Sequence, residues 1–378
     1  MIPLVNLKRQ YKFLETEINQ AISSICENGD FILGKALTEF EESWAEYLGA
    51  SHAIGVANGT DALHLILKSY GIGAGDEVIV PANTFIATAL AVTHSGAHPV
   101  LVDCEERTAL VNLQKLKAVI TQKTKAIIAV HLYGQPVDMD PLLRLACEYK
   151  LKVIEDAAQA HGAEYHGRKC GVLADAAAFS FYPSKNLSCY GDGGAVVTND
   201  PNLAQEVRLL RNWGSQEKYI HERIGFNSRL DTIHAAVLKI KLQYLDSWNE
   251  KRRCLAAIYR NELSARNDEI ELFEEQEDFK HVYHLFVVRI KGERRDLILK
   301  ELWEKGIQAG VHYPVPIHQQ EPYREGHVKS NSQLIVTENL SKEILSLPIC
   351  PYTSDEEVLQ VAQELKRAVL ASRLSVSL

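Results

Sequence analysis

Lys185 ends the run Phe179-Ser180-Phe181-Tyr182-Pro183-Ser184-Lys185, and the turn Gly191-Asp192-Gly193-Gly194 follows it. A lysine between an apolar strand and a glycine-rich turn is held by backbone on both sides in a partly desolvated place. There its pKa falls and its amine can act as a nucleophile that forms a Schiff base. An isolated lysine is more often a plain surface residue, so the assignment needs companions. Asp156, in Ile154-Glu155-Asp156-Ala157-Ala158-Gln159, lies at the carboxyl end of an expected parallel strand, where α/β sheets bind ligands. A carboxylate fixed there either pairs with a protonated ring nitrogen, as a pyridoxal phosphate ring requires, or merely caps a helix. Glu155 points to the other face of the strand and reads as structural. Asn58-Gly59-Thr60-Asp61-Ala62-Leu63 opens a helix, whose free N–H groups and dipole make an anion site, although the same signature serves ordinary capping.

Other chemistries are excluded by spacing. The seven cysteines are odd in number, scattered and never Cys-x-x-Cys, which points to reduced thiols without a disulfide framework or thiolate metal site. His94 and His98 have His-x-x-x-His spacing, but Ser95-Gly96-Ala97 ends the helix that would align them, and no metal is expected. His161 and His166 read as a loop pair. Lys plus Arg number 41 against 49 Asp plus Glu, a net charge of −8 with no basic block, so nucleic acid is not an expected partner. No apolar run approaches the ~20 residues of a membrane helix, and the start lacks a signal-like segment, so a cytoplasmic location without membrane association is expected.

These residues must be positioned by a regular scaffold. The pattern predicts strands at Glu77–Val80, Pro99–Asp103, Lys125–His131, Lys152–Glu155, Ala176–Phe181 and Gly194–Thr198. Helical spacing fills Thr60–Tyr70, Thr84–Ser95, Asn112–Ile120 and Asp138–Tyr149 between them. The alternation implies an α/β fold with a largely parallel sheet covered on both faces. A long helical stretch runs from Asp231 through Leu245 and on to Leu263. The boundary is set near residue 246, dividing a large domain, 1–245, from a small α+β domain, 246–378. In the latter, His281–Ile290 reads as a strand, Arg294–Lys305 as a helix, Gln308–His312 as a short strand and Asp355–Ser372 as the closing helix. With 378 residues, 46% of them hydrophobic, two packed domains are expected rather than a tethered or disordered chain.

Four segments, in this order, resemble the DegT/DnrJ/StrS family of pyridoxal-phosphate-dependent nucleotide-sugar aminotransferases: Gly59-Thr60-Asp61-Ala62-Leu63, Glu155–Gln159, Ser180–Lys185 and Gly191–Gly194. The resemblance runs from Pro3 to the closing helix and implies the aspartate-aminotransferase fold, fold type I. It implies that Lys185 forms the Schiff base with the coenzyme and later moves the proton. Asp156 would then pair with the pyridine nitrogen, Gln159 would lie near the ring hydroxyl, and Ser180 would bind the phosphate with the backbone of Gly59, Thr60 and Asp61. Phe85, by itself a core residue, would stack on the coenzyme ring. Asn227, in Gly225-Phe226-Asn227-Ser228-Arg229, would reach the phosphate of a neighbouring subunit, which implies a homodimer with composite active sites. Family members that dehydrate sugars carry histidine in place of the lysine, so Lys185 favours transamination.

For the substrate, Gly310-Val311-His312-Tyr313-Pro314-Val315-Pro316-Ile317-His318 resembles the stretch that approaches the sugar in members acting on 3-keto hexoses linked to a nucleoside diphosphate. Tyr313 and His318 are candidates for sugar or diphosphate contacts, Tyr182 for nucleotide or sugar, and Arg229 for diphosphate. Asn83–Thr88 and Pro183–Leu187 resemble the C-3 aminating branch. The implied reaction transfers an amino group from L-glutamate to a dTDP-3-keto-6-deoxyhexose, for an amino sugar of surface polysaccharide such as lipopolysaccharide O-antigen. A C-4 or UDP-sugar aminotransferase, or a non-catalytic coenzyme-binding regulator, is the alternative.

Overall fold

Short runs of Val, Ile and Ala are buried along their whole length in strands such as Glu77–Pro81 and Gly194–Thr198, which demands cover on both faces of the sheet they build. The computed structural model describes residues 1–264, 269–324, 326, 328–330 and 333–376. Helices α1 (Leu7–Asn28) and α2 (Lys35–Leu48) lead into β1 (His52–Val56), α3 (Gly59–Ser69), β2 (Glu77–Pro81), α4 (Ile86–Ser95) and β3 (His98–Val102). Then come α5 (Leu113–Val119), β4 (Thr124–Val130), α6 (Met139–Tyr149), β5 (Lys152–Asp156), the two-residue strands β6 (Glu164–Tyr165) and β7 (Arg168–Lys169), β8 (Ala176–Ser180), β9 (Gly194–Thr198) and α7 (Pro201–Leu210).

Seven strands form the central sheet in the order β1-β9-β8-β5-β4-β2-β3. The β8, β5, β4, β2 and β3 neighbours pair in parallel, and β9 runs antiparallel to both β8 and β1. Strands β5 and β8 therefore end side by side at one edge, Asp156 terminating the first and Ser180 the second. Ligands of open α/β sheets bind outside such carboxyl ends.

Beyond the sheet lie α8 (Thr232–Leu242), α9 (Leu245–Ser264), β10 (Ile270–Leu272), β11 (Phe279–Lys280, paired with β6), β12 (Phe286–Ile290), α10 (Arg295–Glu304), α11 (Glu321–Arg324), α12 (Ile335–Glu343), β13 (Ile344–Leu347) and α13 (Asp355–Val376). Strands β10, β12 and β13 make a second, antiparallel sheet. It carries its own core, in which Leu255, Tyr259, Phe286, Ile298, Leu302, Leu345 and Leu365 pack with Ile2 from the chain start. Burying each such aliphatic side chain contributes about 1.5–3 kcal/mol. Helix α9 starts in the core of the large sheet at Leu245 and runs into the second core at Leu255. No helix among the described residues is long and apolar enough to cross a membrane.

Several elements differ from expectation. Strands β1 and β13 and helices α1, α2 and α7 have no counterpart in the sequence reading. The long helix breaks at Gln243-Tyr244 into α8 and α9. Helix α4 starts at Ile86, since Phe85 is in extended backbone at φ −63°, ψ 144°. Residues 308–312 are not a strand: Gln308 N–H bonds to the Ile2 carbonyl and Gly310 exchanges bonds with Ser346, so no one partner runs alongside. Residues 281–285 do not join β12. They form a strut whose Val282 and Leu285 N–H groups donate to the carbonyls of Gly134 (3.0 Å) and Tyr133 (3.3 Å).

Candidate active site

The loop carrying Lys185 hangs from the end of β8. Phe181 N–H donates to the Gly193 carbonyl (2.7 Å) and Cys189 N–H donates back to the Phe181 carbonyl (2.9 Å), which closes the loop at its neck. Within it Lys185 N–H donates to the Tyr182 carbonyl (2.9 Å). The side chain keeps some exposed surface but stands among dense protein atoms. Burial lowers the ammonium pKa to about 8, against the opposing pull of the Asp156 charge.

Asp156 is nearly buried. Its Oδ2 accepts from Thr88 Oγ1 (2.8 Å) and its Oδ1 from Ala158 N–H (3.2 Å). Burial raises its pKa, while these two bonds and the charge on Lys185 act in the opposite sense. A buried carboxylate that is hard to ionise is suited to a cationic N–H partner, whose charge would hold it ionised. Thr88 is a partner that sequence reasoning missed, although it closes the quoted Asn83–Thr88 run.

Glu155, one residue earlier, faces the other way as expected. Its Oε1 accepts from Leu173 and Ala174 N–H (2.8 and 3.1 Å), and its Oε2 accepts from Gly171 N–H (2.7 Å) and faces His131 Nε2 (3.0 Å). His131 Nδ1 accepts from Val137 N–H (3.0 Å), so Nε2 carries the proton and donates to Glu155. With Cys170 this makes a trio of metal-ligand types, but the donor atoms of His131 and Glu155 are committed to the protein.

Beside Asp156 the tertiary fold assembles an aromatic wall. Gln159 Oε1 accepts from Tyr133 N–H (2.6 Å) and Gln159 Nε2 donates to the Tyr313 hydroxyl (3.1 Å). Tyr133, at φ 62°, donates its own hydroxyl to the His312 carbonyl (2.7 Å). The rings of Phe85 and Tyr313 meet at 5.2 Å, with Phe85 half exposed and free to present its face. Burial raises the pKa of the Tyr313 hydroxyl, which keeps it a hydrogen-bonding group.

The start of α3 is held by close backbone approach. Strand β9 passes so near the start of α3 that a Cβ on Gly194 would lie 2.4 Å from the Asn58 carbonyl carbon. A Cβ on Gly59 would lie 2.8 Å from Ser180 Cβ. The Ser180 hydroxyl and the open N-terminal turn of α3 thus share one place, where an anion is favoured. Asp61 N–H donates to Asn58 Oδ1 (2.8 Å), the capping bond that orders this turn.

The remaining candidates are dispersed. Tyr182 is exposed beside Lys185. His318 is tied by Nε2 to Glu338 (2.9 Å), and Ile317 N–H donates to the Ala82 carbonyl (3.4 Å), close to Phe85 in the chain. Arg229 lies over the Trp213 ring at 4.2 Å and bonds Asn212 (3.3 Å), and no bond joins it to the Lys185 loop. Asn227 is exposed on the same excursion, opposite Asn212. That excursion is anchored just ahead of α3 by Ala57 N–H donating to Ser228 Oγ (3.2 Å).

A lysine amine with a lowered pKa, a buried carboxylate, an aromatic wall and an anion cradle at one sheet edge fit pyridoxal phosphate. Residues 12–366 match the DegT/DnrJ/EryC1/StrS aminotransferase family. The chain belongs to this family. It is 48% identical over 367 residues to a dTDP-3-amino-3,6-dideoxy-alpha-D-galactopyranose transaminase of Aneurinibacillus thermoaerophilus, covering 97% of this chain and 99% of the relative. It is 47% identical over 360 residues to a dTDP-3-amino-3,4,6-trideoxy-alpha-D-glucose transaminase of Streptomyces venezuelae, covering 95% and 94%. The crystal structure of S. venezuelae DesV with a ketimine intermediate superposes with a TM-score of 0.94 at 46% identity, covering 97% of this chain and 98% of that one. The protein is a fold-type-I, pyridoxal-phosphate-dependent sugar aminotransferase, as the sequence implies.

Proposed function

We propose that this aminotransferase moves an amino group from L-glutamate to C-3 of a dTDP-linked 3-keto-6-deoxyhexose, releasing 2-oxoglutarate and a 3-amino sugar nucleotide. The observation that carries the reading is the placement of the Lys185 amine within electrostatic reach of the buried Asp156 carboxylate beyond the ends of β8 and β5, in a chain whose two relatives described above bear the names of 3-amino sugar transaminases.

Pyridoxal phosphate, when bound, supplies an electron sink and carries the amino group between the two substrates. Asp156 would keep the ring nitrogen protonated, and Thr88 and Ala158 hold that carboxylate in line. Gln159 would lie by the ring hydroxyl, Phe85 would cover the ring face, and Ser180 with Gly59, Thr60 and Asp61 would receive the phosphate. Lys185 Nζ would hold the coenzyme and would serve as the group that gives and takes a proton beside it; a pKa near 8 suits both duties at neutral pH. Tyr182, Tyr313, His318 and Arg229 serve the sugar nucleotide. Asn227 of each chain reaches the coenzyme phosphate of the other, which makes the enzyme a homodimer with composite sites. The exposure of Asn227, on an excursion moored beside Asn58, supports that assignment. A 3-amino-6-deoxy sugar made in the cytoplasm for a surface polysaccharide or O-antigen is the product's use.

The test loads the purified enzyme with pyridoxal phosphate and glutamate and screens dTDP- and UDP-linked 3-keto and 4-keto sugars by mass spectrometry. Amination of the dTDP-3-keto sugar is expected. Reaction with 4-keto or UDP sugars alone overturns the substrate assignment, and no conversion of the coenzyme by glutamate overturns the donor.

A further inference from the structure

Asn186, the residue next to Lys185, is buried together with His284, Asn249 and Arg252. The hydrogens of its amide are both used: Nδ2 donates to Asn249 Oδ1 on α9 (2.9 Å) and to the Val282 carbonyl of the strut (3.0 Å). Its Oδ1 can only accept, and it faces His284 Nδ1 at 3.3 Å. The imidazole is therefore the tautomer with the proton on Nδ1, donating to Asn186 and leaving Nε2 with a lone pair. Burial keeps it neutral, and Lys185, Arg252, His312 and His161, which face it from the surrounding segments, act in the same direction.

The contacts continue outward. Asn249 Nδ2 donates to the His161 carbonyl (2.8 Å), two residues past Gln159. One turn along α9, Arg252 donates to the carbonyls of Tyr283 (3.1 Å), His284 (3.4 Å) and Ile349 (3.0 Å). The strut is held at its other side by Tyr133 and Gly134, to whose carbonyls its Leu285 and Val282 N–H groups donate. One buried network thus grips the residue after Lys185, the segment after Gln159 and the strut that leads into β12.

We propose that Asn186 and His284 are a positioning pair: they fix the backbone from which the Lys185 side chain departs and tie its aim to the strut and α9. Neither group is assigned contact with the coenzyme or the substrate. Their work is to hold the amine where a displaced lysine would react slowly, since misplacement by about 1 Å can cost a hundredfold in rate. The inference rests on Lys185 being the coenzyme lysine.

Pyridoxamine phosphate separates the roles, because it fills the phosphate and ring sites without bonding to the lysine. Coenzyme-free Asn186→Leu, His284→Leu and His284→Asn chains are mixed with pyridoxal phosphate, and the capture rate is followed by visible absorption above the pKa of the amine. Affinity for pyridoxamine phosphate is measured in parallel by fluorescence quenching. The two leucine variants are expected to capture about tenfold to a hundredfold more slowly with unchanged pyridoxamine phosphate affinity. His284→Asn, which keeps an N–H donor near the Nδ1 position, is expected to recover most of the rate. Equal loss of both readouts, no loss of capture, or a His284→Asn chain as slow as His284→Leu overturns the proposal. If Asn186→Leu fails to fold, the two His284 variants decide. Lys185→Ala tests the underlying assignment separately: it must abolish covalent capture and retain pyridoxamine phosphate.

Discussion

Capture of pyridoxal phosphate by the coenzyme-free enzyme should follow the free-amine form of Lys185 and level off above pH about 8, because burial lowers that amine to about 8. At pH 7 an amine of pKa 8 is about 10% unprotonated, whereas one at the ordinary lysine value of 10.5 is about 0.03% unprotonated, a difference of roughly 300-fold in reactive nucleophile. Stopped-flow measurement of the capture rate from about pH 6 to about pH 10 reads the midpoint directly. A rate that keeps rising tenfold per pH unit through pH 9 would show an ordinary lysine and refute the desolvation argument. The Asp156 charge pulls the amine upward, so Asp156→Asn should move the midpoint below that of the parent. The same change should abolish most turnover, since an amide cannot keep the ring nitrogen protonated. A midpoint that moves up in Asp156→Asn would mean that the two groups do not sense each other as the geometry requires.

Gly194→Ala drives a methyl group to 2.4 Å from the Asn58 carbonyl carbon and must push the start of α3 away from Ser180. An overpacking cost of about 1–3 kcal/mol is expected, seen as a lower melting temperature, with a loss of pyridoxamine phosphate affinity of about tenfold or more. Mixing inactive Lys185→Ala and Asn227→Glu chains under subunit exchange should restore about a quarter of parental turnover, since half the dimers are mixed and each of these holds one complete site. No recovery would remove Asn227 from the neighbouring site.

Chemistry that is local in the chain was legible before the fold. Lys185 stands between a strand and a glycine turn, Asp156 ends an apolar strand, and Asn58-Gly59 opens a helix, so a few adjacent residues determine each environment. The parallel sheet was legible for the same reason, because strand and helix periods repeat within single segments. Strand β1 escaped because it is a five-residue segment interrupted by Gly55, and β13 because it follows α12 without a turn. Residues 308–312 read as a strand by alternation, but no one partner lies along them, and alternation cannot supply one.

The amino-acid sequence by itself determined the lysine, the carboxylate, the anion turn and the α/β class, since each depends on residue type and near-neighbour spacing. Only the tertiary structure decided which side chains complete them. Gln159 meets Tyr313 across 154 positions, Thr88 meets Asp156 across 68, and Asn186 meets His284 across 98. Hydrogen bonds across such separations leave no period in the chain. They exist only once buried polar groups must find partners, and the packing of the strut and α9 against the sheet determines which partners those are.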